Sequence, residues 1–170
     1  GIPNQQIDFC LQNTAIRTKH WRSVAHGPNK FAIESFIDEI ASGQSVDPYR
    51  LRRKLLAKSP RALAVLDAAV DMSPWGSKPE KGRALGLAFA EGVGSLTAGV
   101  VEISLDEAQG KIRVHRVWAA IDAGLVIQPG NTIRQHEGAI LQGISSALLE
   151  SITIREGAVQ QANFDSYQIL

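Results

Sequence analysis

The apolar residues of this chain change period part-way along it, and that change decides which layers it can build. Up to about Val70 they recur three and four apart; from Leu85 to Ile121 they alternate or come in short β-rich runs. Ile33, Phe36, Ile37 and Ile40 form a helical stripe opposite Glu34, Asp38 and Glu39, with Asn29 as N-cap and Gly43 where a C-cap belongs. Asp47-Pro48 predicts the start of a second helix, with Leu51 and Leu55 as its buried stripe. Ser59-Pro60 predicts a third that buries Leu63, Leu66, Ala69 and Val70 and stops at Pro74-Trp75-Gly76. Residues 1–29, broken by Pro3, Gly27 and Pro28, read as extended and loop-like.

In the back half, Leu85 to Phe89 and Thr97 to Leu105 read as strands, and Gln109-Gly110 turns the chain into a third from Lys111 to Ile121. In that third strand Ile112 and Val114 share a face, yet Val117, Ala119 and Ile121 fall on the opposite one. A phase flip of this kind predicts a β-bulge near Arg116. A helix from about Thr132 to Leu149 and a hairpin around Gly157 complete the pattern. The fold class is therefore α+β, a helical layer packed on a mainly antiparallel sheet, with no internal repeat.

A length of 170 residues predicts a single domain over 1–170 with a core that needs no disulfide, and the net charge is only +1. The short basic run from Arg50 to Lys54 is interleaved with leucine, reads as a solvated helix face, and argues against a nucleic-acid partner. Cys10 stands alone and can form neither an internal disulfide nor an iron–sulfur site. His20, His26, His115 and His136 have no metal-ligand spacing; His26 is held open because of the loop it occupies. Gly92 and Gly94 are too short a pattern for a dinucleotide fingerprint, and no Ser-His-Asp arrangement can be supported from spacing alone.

One helix start is unusually polar and glycine-rich: Gln135-His136-Glu137-Gly138-Ala139, running into Gln142-Gly143. A helix N-terminus offers unpaired N–H groups, and Gly138 and Gly143 leave room for backbone or cofactor to approach. Two further segments keep it company: Trp21-Arg22-Ser23-Val24-Ala25-His26-Gly27-Pro28-Asn29, and Val100 to Asp106 with Arg113 to Val117. They lead into Ala120-Ile121-Asp122-Ala123-Gly124. This ordered set resembles the molybdopterin-binding large subunits of the xanthine dehydrogenase and aldehyde oxidase superfamily. Within it, the wording is most similar to the isoquinoline 1-oxidoreductase line of large (beta) chains.

The resemblance implies a molybdenum hydroxylase that oxidises an aldehyde or N-heterocycle with water-derived oxygen. It implies molybdopterin, in the cytosine dinucleotide form, with molybdenum, and a small iron–sulfur subunit that takes the electrons. Gln135 matches a glutamine that bonds the pterin, Arg22 a position whose backbone approaches the metal, and Val24 a position lining the substrate pocket. Purine-oxidising relatives carry an aromatic there, so Val24 removes a stacking platform. Glu137 is structural in the family. The family's Gly-Val-Gly-Glu motif, which carries the catalytic glutamate, and its Gly-Gln-Gly pterin segment do not occur in these residues. The chain therefore reads as an excised piece of a subunit. On its own it is expected to bind no cofactor, to have no catalytic residue or protein metal ligand, and to need the rest of its subunit. The alternative is a non-catalytic interaction domain that keeps the fold.

Overall fold

The structure, a computed structural model, describes residues 2–14, 16 and 19–170. It divides into two compact units, one of Gly1–Gln6 with Trp21–Gly124 and the other of Ile7–His20 with Leu125–Leu170.

The first unit runs α1 (His26–Gly43), α2 (Pro48–Leu55), α3 (Pro60–Met72), β1 (Arg83–Gly92), β2 (Ser95–Asp106) and β3 (Lys111–Asp122). The strands form an antiparallel sheet in the order β1-β2-β3. Alternation puts Leu96, Ala98 and Val100 of β2 on one face, beside Leu87 and Phe89 of β1. Against that face α3 sets Ala62, Val65, Leu66, Ala69 and Val70, and Trp118 and Ala120 of β3 flank the core. The expected helical layer on an antiparallel sheet is what forms. The bulge is also present: Glu102 faces Arg116 but Ile103 faces Val114, which leaves His115 as the extra residue.

The first helix departs from expectation at both ends and on its faces. It begins at His26, with Ala25 as N-cap and no capping side chain, so Asn29 lies inside it and donates to Ala25 O at 3.2 Å. Pro28 is tolerated because first-turn N–H groups have no helical acceptor. The exit is a Schellman closure, Val46 N to Ala41 O and Ser45 N to Ser42 O, with Ser45 rather than Gly43 at left-handed φ (53°). Glu34 points inward and Asp38, its side chain still 45% exposed, reaches the same buried partner, while Ile33 and Phe36 are exposed.

The cause lies in α2. Asp47 caps it as expected, taking Arg50 N at 2.9 Å. Its buried residue is Arg52, 2% exposed, not the leucines, so the basic run is not a wholly solvated face. The Arg52 guanidinium meets Glu34 at 2.8 Å and Asp38 at 2.6 Å, and donates to the carbonyls of Glu34 and Pro48. A buried cation must be paired, and this one draws the acidic side of α1 toward it. Glu34 Oε2 also accepts the Phe89 amide at 2.8 Å, so α1 caps part of the outer edge of β1.

The second unit holds α4 (Pro129–Leu148) and a small hairpin of β4 (Ile154–Arg155) and β5 (Ala158–Val159). The hairpin turns at Glu156-Gly157, both at left-handed φ, and the Gln161 side chain accepts from Thr153 N at 2.7 Å. The end of the chain docks on α4: Leu170 N donates to the buried Ser145 hydroxyl, and the Tyr167 hydroxyl to Glu150 at 2.6 Å. The Glu150 carboxylate beside it pushes the Tyr167 phenol above its usual range.

Candidate functional site

Arg22 and Val24 share one exposed turn in the first unit. Val24 N donates to Trp21 O and His26 N to Ser23 O, each at 2.9 Å. Ser23 and Val24 both take left-handed φ, 79° and 51°. That region disfavours L-residues by roughly 1–2 kcal/mol, and a β-branched residue there is an outlier that its surroundings must hold. The surroundings supply two close fits. A Cβ on Gly27 would stand 2.6 Å from Ser23 Oγ, and a Cβ on Gly92 would stand 3.3 Å from the His26 ring. Val24 itself is 56% exposed, with its side chain available to a ligand or to further protein.

Gln135 belongs to the second unit, and its setting differs from the one predicted. Helix α4 begins at Pro129, with Gln128 as N-cap accepting from Asn131 N at 3.0 Å, so the pentad lies well inside the helix. The helix-terminal N–H groups therefore belong to Pro129's neighbours, and Gln135 offers only its side chain. That side chain is exposed, and three residues on, a Cβ at Gly138 would meet nothing within 4 Å. The same open space lies beside Gly143. An exposed primary amide next to bare backbone presents two donors and an acceptor to a flat neutral ligand, which fits a pterin edge. His136, beside it, is half-buried, and burial holds its imidazole below the usual range despite the opposing pull of Glu137.

Two arrangements escaped sequence reasoning. Ser104 Oγ lies 2.7 Å from His115 Nε2, a pairing created by the bulge; no carboxylate bonds that ring among the described residues, so no triad forms. Arg61 grips Asp122 through both oxygens (2.7 and 2.8 Å) and reaches Gly94 O. Asp122 also accepts from Gly124 N at 2.9 Å, with Gly124 at left-handed φ, which ends β3. Arg61 and then the Gly124 amide lower the Asp122 carboxyl to about 2. Among the described residues, no group of three His, Cys, Asp or Glu could hold a metal, and no helix is long and apolar enough to cross a membrane.

Residues 69–170, which contain the sheet, α4 and the hairpin, match the profile of the molybdopterin cofactor-binding domain. The chain belongs to that family. Over 99% of its length it is 35% identical to the beta chain of isoquinoline 1-oxidoreductase from Brevundimonas diminuta, of which it covers 22%. It is 30% identical to a nicotinate dehydrogenase chain of Pseudomonas putida over 91% of its own length and 14% of that relative. A third relative, the membrane-bound aldehyde dehydrogenase [pyrroloquinoline-quinone] of Gluconacetobacter polyoxogenes, is 29% identical over 92% of the chain and 23% of its own length. The chain thus spans a quarter or less of each relative. Gln135 falls inside the family match; the turn of Arg22 and Val24 precedes it and lies in the wider similarity.

Proposed function

We propose that these 170 residues act as one domain of a longer molybdenum hydroxylase subunit, supplying part of the cofactor cradle and one wall of the substrate pocket. The observation that carries this reading is the exposed Gln135 amide beside open backbone on α4, within the residues matched by the family. When bound, molybdopterin with its molybdenum supplies the redox chemistry, a two-electron oxidation of substrate with oxygen from water. The chain's own residues bind and orient: Gln135 holds the pterin edge, the backbone at Arg22 approaches the metal side, and Val24 shapes the pocket. The cofactor is the cytosine dinucleotide form, and a small iron–sulfur subunit receives the electrons. The relatives' names support an N-heterocycle or an aldehyde as substrate, and Val24 offers no ring at its position on which a purine would stack.

The test is Gln135→Ala in the full-length protein. Losing a buried hydrogen bond to the cofactor costs roughly 1–3 kcal/mol, so molybdenum and pterin content should fall while thermal unfolding stays near wild type. Full occupancy and wild-type turnover would remove Gln135 from the site. Wild-type protein that acquires neither metal nor pterin in a competent host would favour an interaction domain instead.

A further inference from the structure

The turn that carries Arg22 and Val24 is held from outside. Its left-handed residues, Ser23 and Val24, are types that do not favour that conformation, and two glycines elsewhere make room for it. The Ser23 hydroxyl fills the space a side chain on Gly27 would need. His26, the first residue of α1, sets its imidazole against Gly92, the last residue of β1. A Cβ at position 92 would stand 3.3 Å from Cε1 and 3.5 Å from each ring nitrogen. Gly27 and Gly92 both lie outside the left-handed region, so these positions need glycine for space and not for backbone freedom.

We infer that His26 seated on Gly92 is a positioning contact that fixes the Trp21–Val24 turn on the tip of the β1–β2 hairpin and thereby sets where Val24 stands. The inference rests on the reading of Val24 as a pocket residue. It assigns the histidine of this loop to orientation, because Cε1 and both ring nitrogens lie within 3.5 Å of the place a side chain at 92 would occupy. It also explains why the hairpin ends in glycine at a position whose φ any residue could adopt. An added methyl at 92 would push the ring by a few tenths of an ångström. His26 lies two residues after Val24, so whatever part of that push the side chain does not absorb by rotating passes into the turn.

The experiment is a double-mutant cycle in the full-length protein with Gly92→Ala, His26→Ala and both together, plus His26→Phe. Two quantities are read: the unfolding temperature, and the ratio of kcat/KM for a small aliphatic aldehyde to that for a bicyclic N-heterocycle. A misplacement of about 1 Å can cost roughly a hundredfold, so a few tenths should move this ratio about three- to tenfold in Gly92→Ala. In the His26→Ala background the same methyl meets no ring and should change neither quantity. His26→Phe, which keeps a flat ring but no exchangeable proton, should keep the ratio and the pH profile. An equal effect of Gly92→Ala in both backgrounds would overturn the contact. Coupled unfolding temperatures with an unmoved ratio would reduce it to a structural contact and overturn positioning, and loss of turnover in His26→Phe alone would do the same in favour of proton chemistry. A wild-type protein inert toward both substrates would defeat the proposed function, and the unfolding temperatures would still decide the contact.

Discussion

Arg52 shows how one residue can reverse the reading of its neighbours. Glu34, Asp38 and Glu39 were expected to face water, yet Glu34 turns inward and Asp38, still partly in water, bonds the same guanidinium, 18 and 14 positions away. No window along α1 could reveal this, because the partner sits on another element and is itself of a type normally exposed. Removing one member of a buried pair leaves a charge without compensation, at a cost of about 3–5 kcal/mol. Arg52→Met should therefore destabilise by that order in denaturant titration. Adding Glu34→Gln to that variant should recover part of the loss. Equal stability of Arg52→Met and wild type would show that the ion pairs contribute nothing.

At the scale of elements, the sequence was most informative where a local period carried the signal. The three strands, the proline starts of α2 and α3 and the bulge at His115 follow from alternation, its phase flip and the Asp-Pro and Ser-Pro pairs. It was least informative at helix starts set by backbone geometry. Helix α1 opens behind two left-handed residues of types that do not advertise that conformation, and α4 opens on a glutamine cap, ahead of the expected start at Thr132. The candidate site divides the same way. The turn and the glutamine were visible in motif order, whereas the Gly92 socket that seats His26 depends on a contact distant in sequence. The β1–β2 hairpin carries a further misfit: its turn, Val93-Gly94, needs left-handed φ at both positions, and Val93 is 99% exposed at φ 51°. Asn is the residue such turns favour at that position. Val93→Asn should raise stability by about 1 kcal/mol, seen as a higher unfolding temperature; no change would mean the valine is not strained there.

At the scale of the whole molecule, the first unit is tied by an exposed electrostatic link, Arg61 on α3 to Asp122 at the end of β3. The folded-state carboxyl of Asp122 titrates at about 2 against an ordinary 3.8. A depressed acid of this kind contributes stability that is present above the unfolded value and lost as pH falls toward the folded one. Stability should therefore decline between about pH 4 and pH 2, and Asp122→Asn should flatten that part of the profile measured by denaturant titration across pH. An unchanged acid limb in Asp122→Asn would assign the decline to other groups. Salt should weaken the link, since its members are in reach of solvent.

Glu34 Oε2 accepts from Arg52 on α2 and from the amide of Phe89 on β1 at the same 2.8 Å. One oxygen thus joins two elements, and the proton on Phe89 becomes a gauge of whether the helix pair is seated. In deuterated solvent that amide can exchange only when α1 lifts from the strand edge or the whole unit opens. Its exchange rate should rise in Arg52→Met well before that of Val100 at the centre of the sheet. If the two rates moved together, lifting of α1 and global opening would be a single event, and the helices would have no independent motion through which to respond to a ligand.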